Sequence, residues 1–128
     1  MFSSAQPITT NYLKQNPNKT SEKIAQNIRI GGWHFIEPTE ILFFEANVNY
    51  TNIYFANGKK LMVATTLKAF EERFKSYNFL RVHKSFVINR AHIKHYCTFE
   101  NTIKMANNHD ITISRRRLKS LKLILNFL

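Results

Sequence analysis

The chain has 128 residues and a formal net charge of +11 at pH 7, with an isoelectric point near 10.1. Its length suits one domain, and hydrophobic and aromatic fractions of 44% and 13% exclude a globally disordered chain. A single cysteine excludes an internal disulfide, and no segment reaches the ~18 apolar residues of a membrane-spanning helix. We therefore expect a cytoplasmic protein with one small folded domain.

Positive charge is concentrated in the C-terminal half. Residues 29–80 carry six Lys/Arg against five acidic residues, a balance of +1, whereas residues 81–128 carry ten against two, a balance of +8. A surface without a special partner usually intersperses the two signs. The asymmetry therefore predicts a face that binds a polyanion, and it does not by itself distinguish DNA, RNA and an anionic membrane.

The first 28 residues are rich in Asn, Gln, Ser, Thr and Lys, which is typical of a flexible tail with a short helix at most, over 21–27. The folded domain is expected over 29–128. Short strands are predicted at 28–30 and 33–35 around a Gly31-Gly32 turn, then at 41–44, 50–56 and 59–65. Asn57-Gly58 predicts a type I′ hairpin turn, because both central positions of that turn need positive φ.

An amphipathic helix is predicted next, because Leu67, Phe70, Phe74 and Tyr77 fall on one helical face. Thr65 or Thr66 is the candidate cap, and Asn78 is the candidate end. Strand-like stretches follow at 79–89, 93–99, 102–105 and 111–113, with a turn at Asn107-Asn108. A second helix is predicted over 114–128, with a stripe of leucines on one face. The fold class is mainly β, a β-sandwich of short strands with two peripheral helices.

Three polar segments lie between these elements, and the first is Asn47-Val48-Asn49-Tyr50-Thr51. Asn can pair with adenine through two hydrogen bonds, and Tyr and Thr hydroxyls reach phosphates. Asn49, Tyr50 and Thr51 are therefore candidate nucleic-acid contacts. An ordinary Asn-rich turn is the competing interpretation.

The second segment interrupts the apolar stretch 79–89 with basic and polar residues. Its candidate binding residues are Arg81, His83, Lys84 and Ser85. Burying their charges unpaired would be costly, so the segment must reach the surface. A solvated strand edge, with His83 held inside the fold, explains the same pattern.

The third segment is Ser114-Arg115-Arg116-Arg117, in which Ser114 fits a helix N-cap and three arginines fill the first turn. The helix dipole places about half a positive charge there, so the cations are unfavourable. A phosphate would resolve the conflict, because helix N–H groups and guanidinium forks both bind that anion. Pairing of the arginines with acids or carbonyls elsewhere is the alternative.

Catalytic and metal sites are not expected. His92, His95 and Cys97 have a spacing that could suggest zinc, but no second cluster completes four ligands. Three glycines in the whole chain form no phosphate-binding loop, and Glu71-Glu72 indicate a solvated helix face. The sequence therefore predicts a protein that is not an enzyme and has no cofactor.

Taken together, the segments resemble the LytTR DNA-binding domain family over residues 29–127. The first half of the match consists of Phe44-Glu45-Ala46, Asn49-Tyr50 and Thr66-Leu67, which opens a helix containing Glu71-Glu72. The stretch 79–89, FLRVHKSFVIN, resembles the family's most distinctive segment. The match is completed by Ile93 and Ile113-Ser114-Arg115-Arg116. Several ordered motifs at compatible spacings are far more specific than any one of them.

The resemblance implies a mainly β fold, an elongated β-sandwich of short strands. Its loops enter successive major grooves of duplex DNA and touch the minor groove between them. Members typically regulate transcription at pairs of directly repeated sites, often with DNA bending, as output domains of response regulators. The family's contact segments correspond here to 49–51, 83–85 and 114–117. We expect Lys84 and Arg116 to be the principal contacts, with Tyr50 or Thr51 as the third.

Double-stranded DNA is thus the expected partner, and two copies on paired sites would make a homodimer on DNA. The 28 residues ahead of the match are too few for the receiver domain that most members carry. We therefore expect a stand-alone domain or an isolated piece, whose input comes from an unidentified signalling or membrane partner.

Two other classes of function remain open at this stage. An RNA-binding module would display aromatic rings on a sheet face for stacking, and Tyr50 and Tyr54 alternate correctly for that. A basic module that binds proteins or membrane surfaces would use the leucine-rich last helix. That helix is explained more simply as one that completes the core.

Overall fold

The computed structural model describes residues 27–32 and 34–125 of the chain. Within these ranges it contains ten strands, two α-helices and three short 3-10 turns. The elements are β1 Ile28–Gly31, β2 His34–Ile36, β3 Ile41–Asn47, β4 Tyr50–Phe55, β5 Lys60–Val63, α1 Leu67–Arg73, β6 Phe79–His83, β7 Phe86–Asn89, β8 Ile93–Cys97, β9 Thr102–Met105, β10 Asp110–Thr112 and α2 Arg115–Leu125. The prediction of a mainly β fold with two helices is confirmed.

All strand pairs are antiparallel within the described ranges. Five strands form the main sheet in the order β5-β4-β3-β7-β6, three form a second sheet in the order β10-β9-β8, and β1 and β2 form a separate hairpin. Strand β3 is central and carries the apolar run 41–44. Because layers cover both faces of this strand, its sequence is continuously apolar rather than alternating.

One core lies on the α1 side of the main sheet. Phe44 of β3 stacks on Phe70 of α1, with ring centroids 4.4 Å apart and an interplanar angle of 11°. Phe74 and Phe79 pack against the same ring. Aromatic pairs of this kind add to the energy of burial. The helical pattern that runs to Tyr77 therefore reflects one buried face.

The α1 helix is shorter than its pattern predicts. Thr66 is the cap, since its hydroxyl accepts a hydrogen bond from the Ala69 N–H at 3.2 Å. The α-helix ends at Arg73, and residues 75–77 form a 3-10 turn in which the partly buried Tyr77 still packs against this core. Asn78 then takes a left-handed conformation with φ 70°, which confirms it as the end of the helical segment.

The second core lies on the opposite face of β3. Leu42 and Phe43 meet Ile103, Met105 and Ile111 of the second sheet, together with Leu121 and Leu125 of α2. The predicted leucine stripe is therefore a core-packing face over the described part of α2. Residue 128 of that stripe lies outside the described residues.

None of the described helices has the length and apolarity to cross a membrane.

The hairpin at Asn57-Gly58 is confirmed, but the predicted turn type is wrong. Only Gly58 of this turn has positive φ, at 93°, and it is the last residue of a three-residue loop, 56–58, between the hydrogen-bonded Phe55 and Lys59. The Gly58 N–H donates to the Phe55 carbonyl at 3.0 Å, and the Phe55 N–H donates to the Lys59 carbonyl at 2.9 Å. Loops of this length place their left-handed residue last, so Gly58 alone needs positive φ.

Asn107-Asn108 likewise forms the predicted turn, between β9 and β10. The left-handed residue is Asn108, with φ 68°, and its N–H donates to the Met105 carbonyl at 2.8 Å. The stretch 79–89 is also a hairpin, in which residues 84–85 turn between β6 and β7. Its polar residues are therefore presented at a turn rather than along one strand.

The beginning of the chain is described only from Asn27. The predicted tail over 1–28 and the short helix over 21–27 lie almost entirely outside the described residues, as does Trp33. Strand β1 begins at Ile28, one residue before the domain boundary expected at 29.

Asn89 joins the end of β7 to the segment that precedes β3. Its buried side-chain amide donates to the carbonyls of Pro38 at 3.2 Å and Ile41 at 2.9 Å, and its oxygen accepts from the Ala91 N–H. Asn89→Ala should lower the free energy of unfolding by about 2–3 kcal/mol, because buried polar groups lose their partners. Asn107→Ala, at an exposed turn, should cost under about 1 kcal/mol. Equal costs in urea denaturation would contradict this.

Candidate nucleic-acid interface

Two hairpin turns lie at one end of the main sheet. Strands β3 and β7 pair with Glu45 opposite Phe86, so the end of β3 lies beside the start of β7. The Ala46 N–H donates to the Ser85 carbonyl at 2.8 Å. The β3–β4 turn at 48–49 and the β6–β7 turn at 84–85 are therefore neighbours. We call this end of the sheet the sheet tip.

The start of α2 is bonded to the same region. The Ser114 N–H donates to the Val82 carbonyl of β6 at 2.9 Å. The Ser114 hydroxyl accepts from the Arg117 N–H at 3.3 Å, and its carbonyl accepts from the Leu118 N–H at 3.0 Å. Ser114 is thus the N-cap that the sequence predicts, and Arg115 to Arg117 occupy the first helical turn.

A groove of about 530 Å³ separates the β6–β7 turn from the start of α2. It is lined by His83, Lys84, Thr112, Ile113, Ser114, Arg115, Arg116 and Arg117. None of the described residues that line it is acidic. We call it the basic groove. It brings the second and third predicted segments together, and the first segment stands next to them at the sheet tip without lining the groove.

The cations of the groove are available to an external anion. Lys84, Arg115 and Arg116 are exposed, and none of the carboxylates that the structure describes forms an ion pair with them. Arg117 is half-buried, and its buried Nε has no hydrogen-bond partner among the described groups. These cations crowd the positive end of the α2 dipole, where a bound anion would be favourable.

The side chain of Arg81, a predicted DNA contact, is bonded to groups within the protein. One terminal nitrogen lies 2.6 Å from a Glu71 carboxylate oxygen. The guanidinium also donates to the His83 carbonyl at 2.8 Å and to the Lys84 carbonyl at 2.7 Å. Its side chain is 16% exposed. Arg81 is therefore engaged within the protein, and its role as a direct contact with DNA stays a prediction.

The Thr51 side chain is likewise engaged within the protein, and its role as a contact also stays a prediction. Its side chain is fully buried, and its hydroxyl donates to the Thr65 carbonyl at 2.7 Å. Strand alternation turns Thr51 inward and the preceding Tyr50 outward, with 49% of Tyr50 exposed. Tyr50 rather than Thr51 is thus placed to be the third contact, with Asn49 exposed in the turn before it.

His83 and Ser85 have mixed surroundings. The His83 ring is half-buried, and its Nδ1 accepts a hydrogen bond from the Ser85 N–H at 3.1 Å. The Ser85 carbonyl receives the Ala46 N–H, as described above. Both residues therefore shape the turn that presents Lys84.

Two exposed residues, one at the sheet tip and one in the basic groove, were not among the predicted candidates. Val48 is 91% exposed and adopts φ 57°, a conformation that β-branched residues rarely accept. Its position between two asparagines, in a segment that resembles a turn, could have identified it from the sequence. Thr112 is exposed in the basic groove, and its alternation with buried Ile111 and Ile113 could have identified it.

The histidines and the cysteine that suggested zinc are dispersed. His92 lies in a 3-10 turn rather than on the strand, and its Nε2 is 2.7 Å from the Thr39 carbonyl oxygen. His95 is exposed on β8, and Cys97 is half-buried. Over residues 27–32 and 34–125, no three His, Cys, Asp or Glu residues are grouped as metal ligands.

Tyr54, which alternation offers as an RNA-stacking platform, has its ring covered. It stacks on Phe43 with centroids 4.3 Å apart, and its hydroxyl donates to Glu45 at 2.8 Å. Base stacking needs an open aromatic face. The arrangement therefore counts against the RNA-binding alternative.

Burial raises the pKa of Tyr54 to about 12, and the hydrogen bond to Glu45 and the negative charge of that carboxylate act in the same direction. Because the folded pKa exceeds the ordinary 10.0, the resulting stability is fully present below about pH 10 and is lost by about pH 12. The difference in unfolding free energy between the parent and Tyr54→Phe should shrink over this range. A difference independent of pH would contradict the assignment.

Thr51 and Tyr50 form a matched pair for separating structural from binding roles. Thr51→Val should lower stability by about 1–2 kcal/mol, through the lost hydrogen bond, and leave affinity for duplex DNA within about twofold. Tyr50→Ala should weaken DNA binding several-fold and change the melting temperature little. Denaturation and fluorescence anisotropy would measure both. The reverse pattern would place Thr51 at the interface.

Comparison with known proteins is consistent with this geometry. A family model described as the LytTr DNA-binding domain matches residues 31–126. A solved LytTr DNA-binding domain from Bacillus cereus, described as part of a methyl-accepting/DNA response regulator, is similar in fold. It is 23% identical, with a TM-score of 0.64, over 82% of this chain and 99% of that one. No curated protein matches the chain. The match to the family model over three quarters of its length shows that this chain belongs to the LytTR DNA-binding domain family, which is non-catalytic.

Proposed function

We propose that the chain regulates transcription by binding specific sequences in double-stranded DNA through the sheet tip and the basic groove. The observation that carries the proposal is the convergence of exposed Lys84, Arg115 and Arg116 on one groove without a neutralising carboxylate among the described residues. Such a site has the charge and the donor groups that a phosphate backbone requires.

The shape of the tip suits the major groove of B-DNA. That groove is about 12 Å wide and admits a two-stranded β-ribbon or a helix. The β6–β7 hairpin and the first turn of α2 are elements of those two kinds, placed side by side. We propose that these elements and the β3–β4 turn enter successive major grooves and touch the minor groove between them, and that Lys84 and Arg116 make the principal contacts.

The remaining contacts follow from the chemistry of the exposed groups. Arg116 can bind guanine through two hydrogen bonds, and Asn49 can do the same with adenine. The Tyr50 hydroxyl and the N-terminal N–H groups of α2 are suited to phosphate oxygens. Base contacts give sequence specificity, and phosphate contacts fix the orientation of the protein on the duplex.

Two copies of the chain on directly repeated sites, with bending of the DNA between them, are part of the proposal. It also includes a cytoplasmic location, where a regulator reaches its DNA, and control by a separate signalling or membrane partner. These features rest on membership in the family rather than on contacts within this chain. Selection of bound sequences from a random duplex pool would reveal the site and its spacing together.

Arg116→Ala should weaken binding to the selected duplex by about tenfold or more and relax sequence preference at the contacted base pair. It should leave the melting temperature unchanged or slightly raised, because a cation is removed from the positive end of α2. Lys122→Ala is the matched control, since it removes an exposed cation from the last turn of the same helix. It should change affinity by less than about twofold.

Fluorescence anisotropy over a salt series would measure both variants. If Lys84 contacts a phosphate, Lys84→Ala should reduce the slope of log binding constant against log salt concentration by about one. Equal affinity of Arg116→Ala and the parent would remove the basic groove from the interface. Tighter binding to single-stranded RNA than to duplex DNA would favour the RNA-binding alternative instead.

A further inference from the structure

We propose that Arg81 and Glu71 form a clamp that holds the β6–β7 turn in the conformation that binds DNA, so that both act as positioning residues. The inference rests on the function proposed above. It concerns how Lys84 is presented rather than whether it contacts DNA. Neither residue has to touch the duplex.

The guanidinium of Arg81 holds both peptide groups at the entrance to the turn. Its Nε donates to the His83 carbonyl, and a terminal nitrogen donates to the Lys84 carbonyl. The two carbonyls belong to consecutive residues, so one planar group fixes the orientation of both. Arginine can do this because its donors form a rigid fork, which lysine lacks.

The strand ladder is irregular where the clamp acts. In the β6–β7 pairing, Arg81 lies opposite Val87 and His83 lies opposite Phe86, with a shift in register between them. Such an irregularity locally disrupts the ladder hydrogen bonds that would stabilise the turn. The Arg81 guanidinium donates hydrogen bonds to backbone carbonyls next to this irregularity.

Glu71 connects the clamp to the folded core. It lies on α1 next to Phe70, which is fully buried against Phe44. Its carboxylate is 2.6 Å from the remaining terminal nitrogen of Arg81, and the Arg81 side chain is largely shielded from solvent. The β6–β7 turn is thereby attached to α1. Because the contact is partly shielded from solvent, salt screens it less than it screens an exposed ion pair.

An unclamped turn would present Lys84 in several conformations. Binding would then have to select the competent one, and the apparent affinity would fall by the fraction of molecules in that state. The proposal therefore predicts an effect on affinity that does not come from a direct contact with DNA.

Glu71→Gln separates the clamp from simple electrostatics, because the two predict changes of opposite sign. Removing a negative charge from a DNA-binding protein should strengthen its binding if long-range charge alone matters. Loss of the clamp should weaken it, by roughly tenfold. Glu72→Gln is the matched control, since it makes the same change of charge at the next residue, whose side chain is exposed outside the clamp. It should leave affinity unchanged or slightly raised.

Two further measurements link the effect to the turn. In a Lys84→Ala background, Glu71→Gln should weaken binding by less than about threefold, because the clamp acts mainly by presenting Lys84. Hydrogen exchange of the Ser85 amide should accelerate in Glu71→Gln without DNA and remain unchanged in Glu72→Gln. A general loss of stability would not produce this local pattern.

Arg81→Lys provides an independent variant that keeps the charge and loses the fork. It should weaken binding about as much as Glu71→Gln, measured well below the melting temperature of each variant. Affinity equal to or above that of the parent in both variants would overturn the clamp. Failure of the parent itself to bind any selected duplex would instead overturn the proposed function, so the two failures are distinguishable.

Discussion

The structure depends on the burial of β3 on both of its faces. Phe44 packs into the core on the α1 side and Phe43 into the core on the α2 side, each fully buried. A slip of one residue would exchange the two faces and place every side chain in the wrong core. The register of β3 against β4 and β7 is therefore strongly fixed. This constraint places the turns at 48–49 and 84–85 beside each other.

Beside this sheet the chain places several positive charges close together, where they repel one another. The first turn of α2 carries Arg115 to Arg117 at the positive end of the helix dipole, beside Lys84 across the basic groove. Lys84, Arg115 and Arg116 are exposed, so these three cations are not buried in either core. The local electrostatic cost is confined to a surface where a polyanion can relieve it.

Sequence patterns predicted most of the fold and the two basic segments that line the groove, because these features depend on local periodicity and composition. The run 41–44, the Ser114 cap and the leucines of α2 are examples. The internal hydrogen bonds of the Thr51 and Arg81 side chains could not be predicted in this way. Each is decided by a partner distant in sequence, the Thr65 carbonyl for Thr51 and the Glu71 carboxylate for Arg81. The turn at Asn57-Gly58 was misassigned because loop length, rather than the dipeptide, determines the turn type.

The hydrogen bonds that fix the sheet tip use mainly backbone atoms. Ala46 bonds to Ser85 and Ser114 bonds to Val82 through the main chain, and the Arg81 fork grips main-chain oxygens. Side chains such as Lys84 and Asn49 are thus presented without being needed to build the framework. In the proposed interface, these side chains could therefore be exchanged one at a time, changing the DNA sequence that is bound while the architecture is kept.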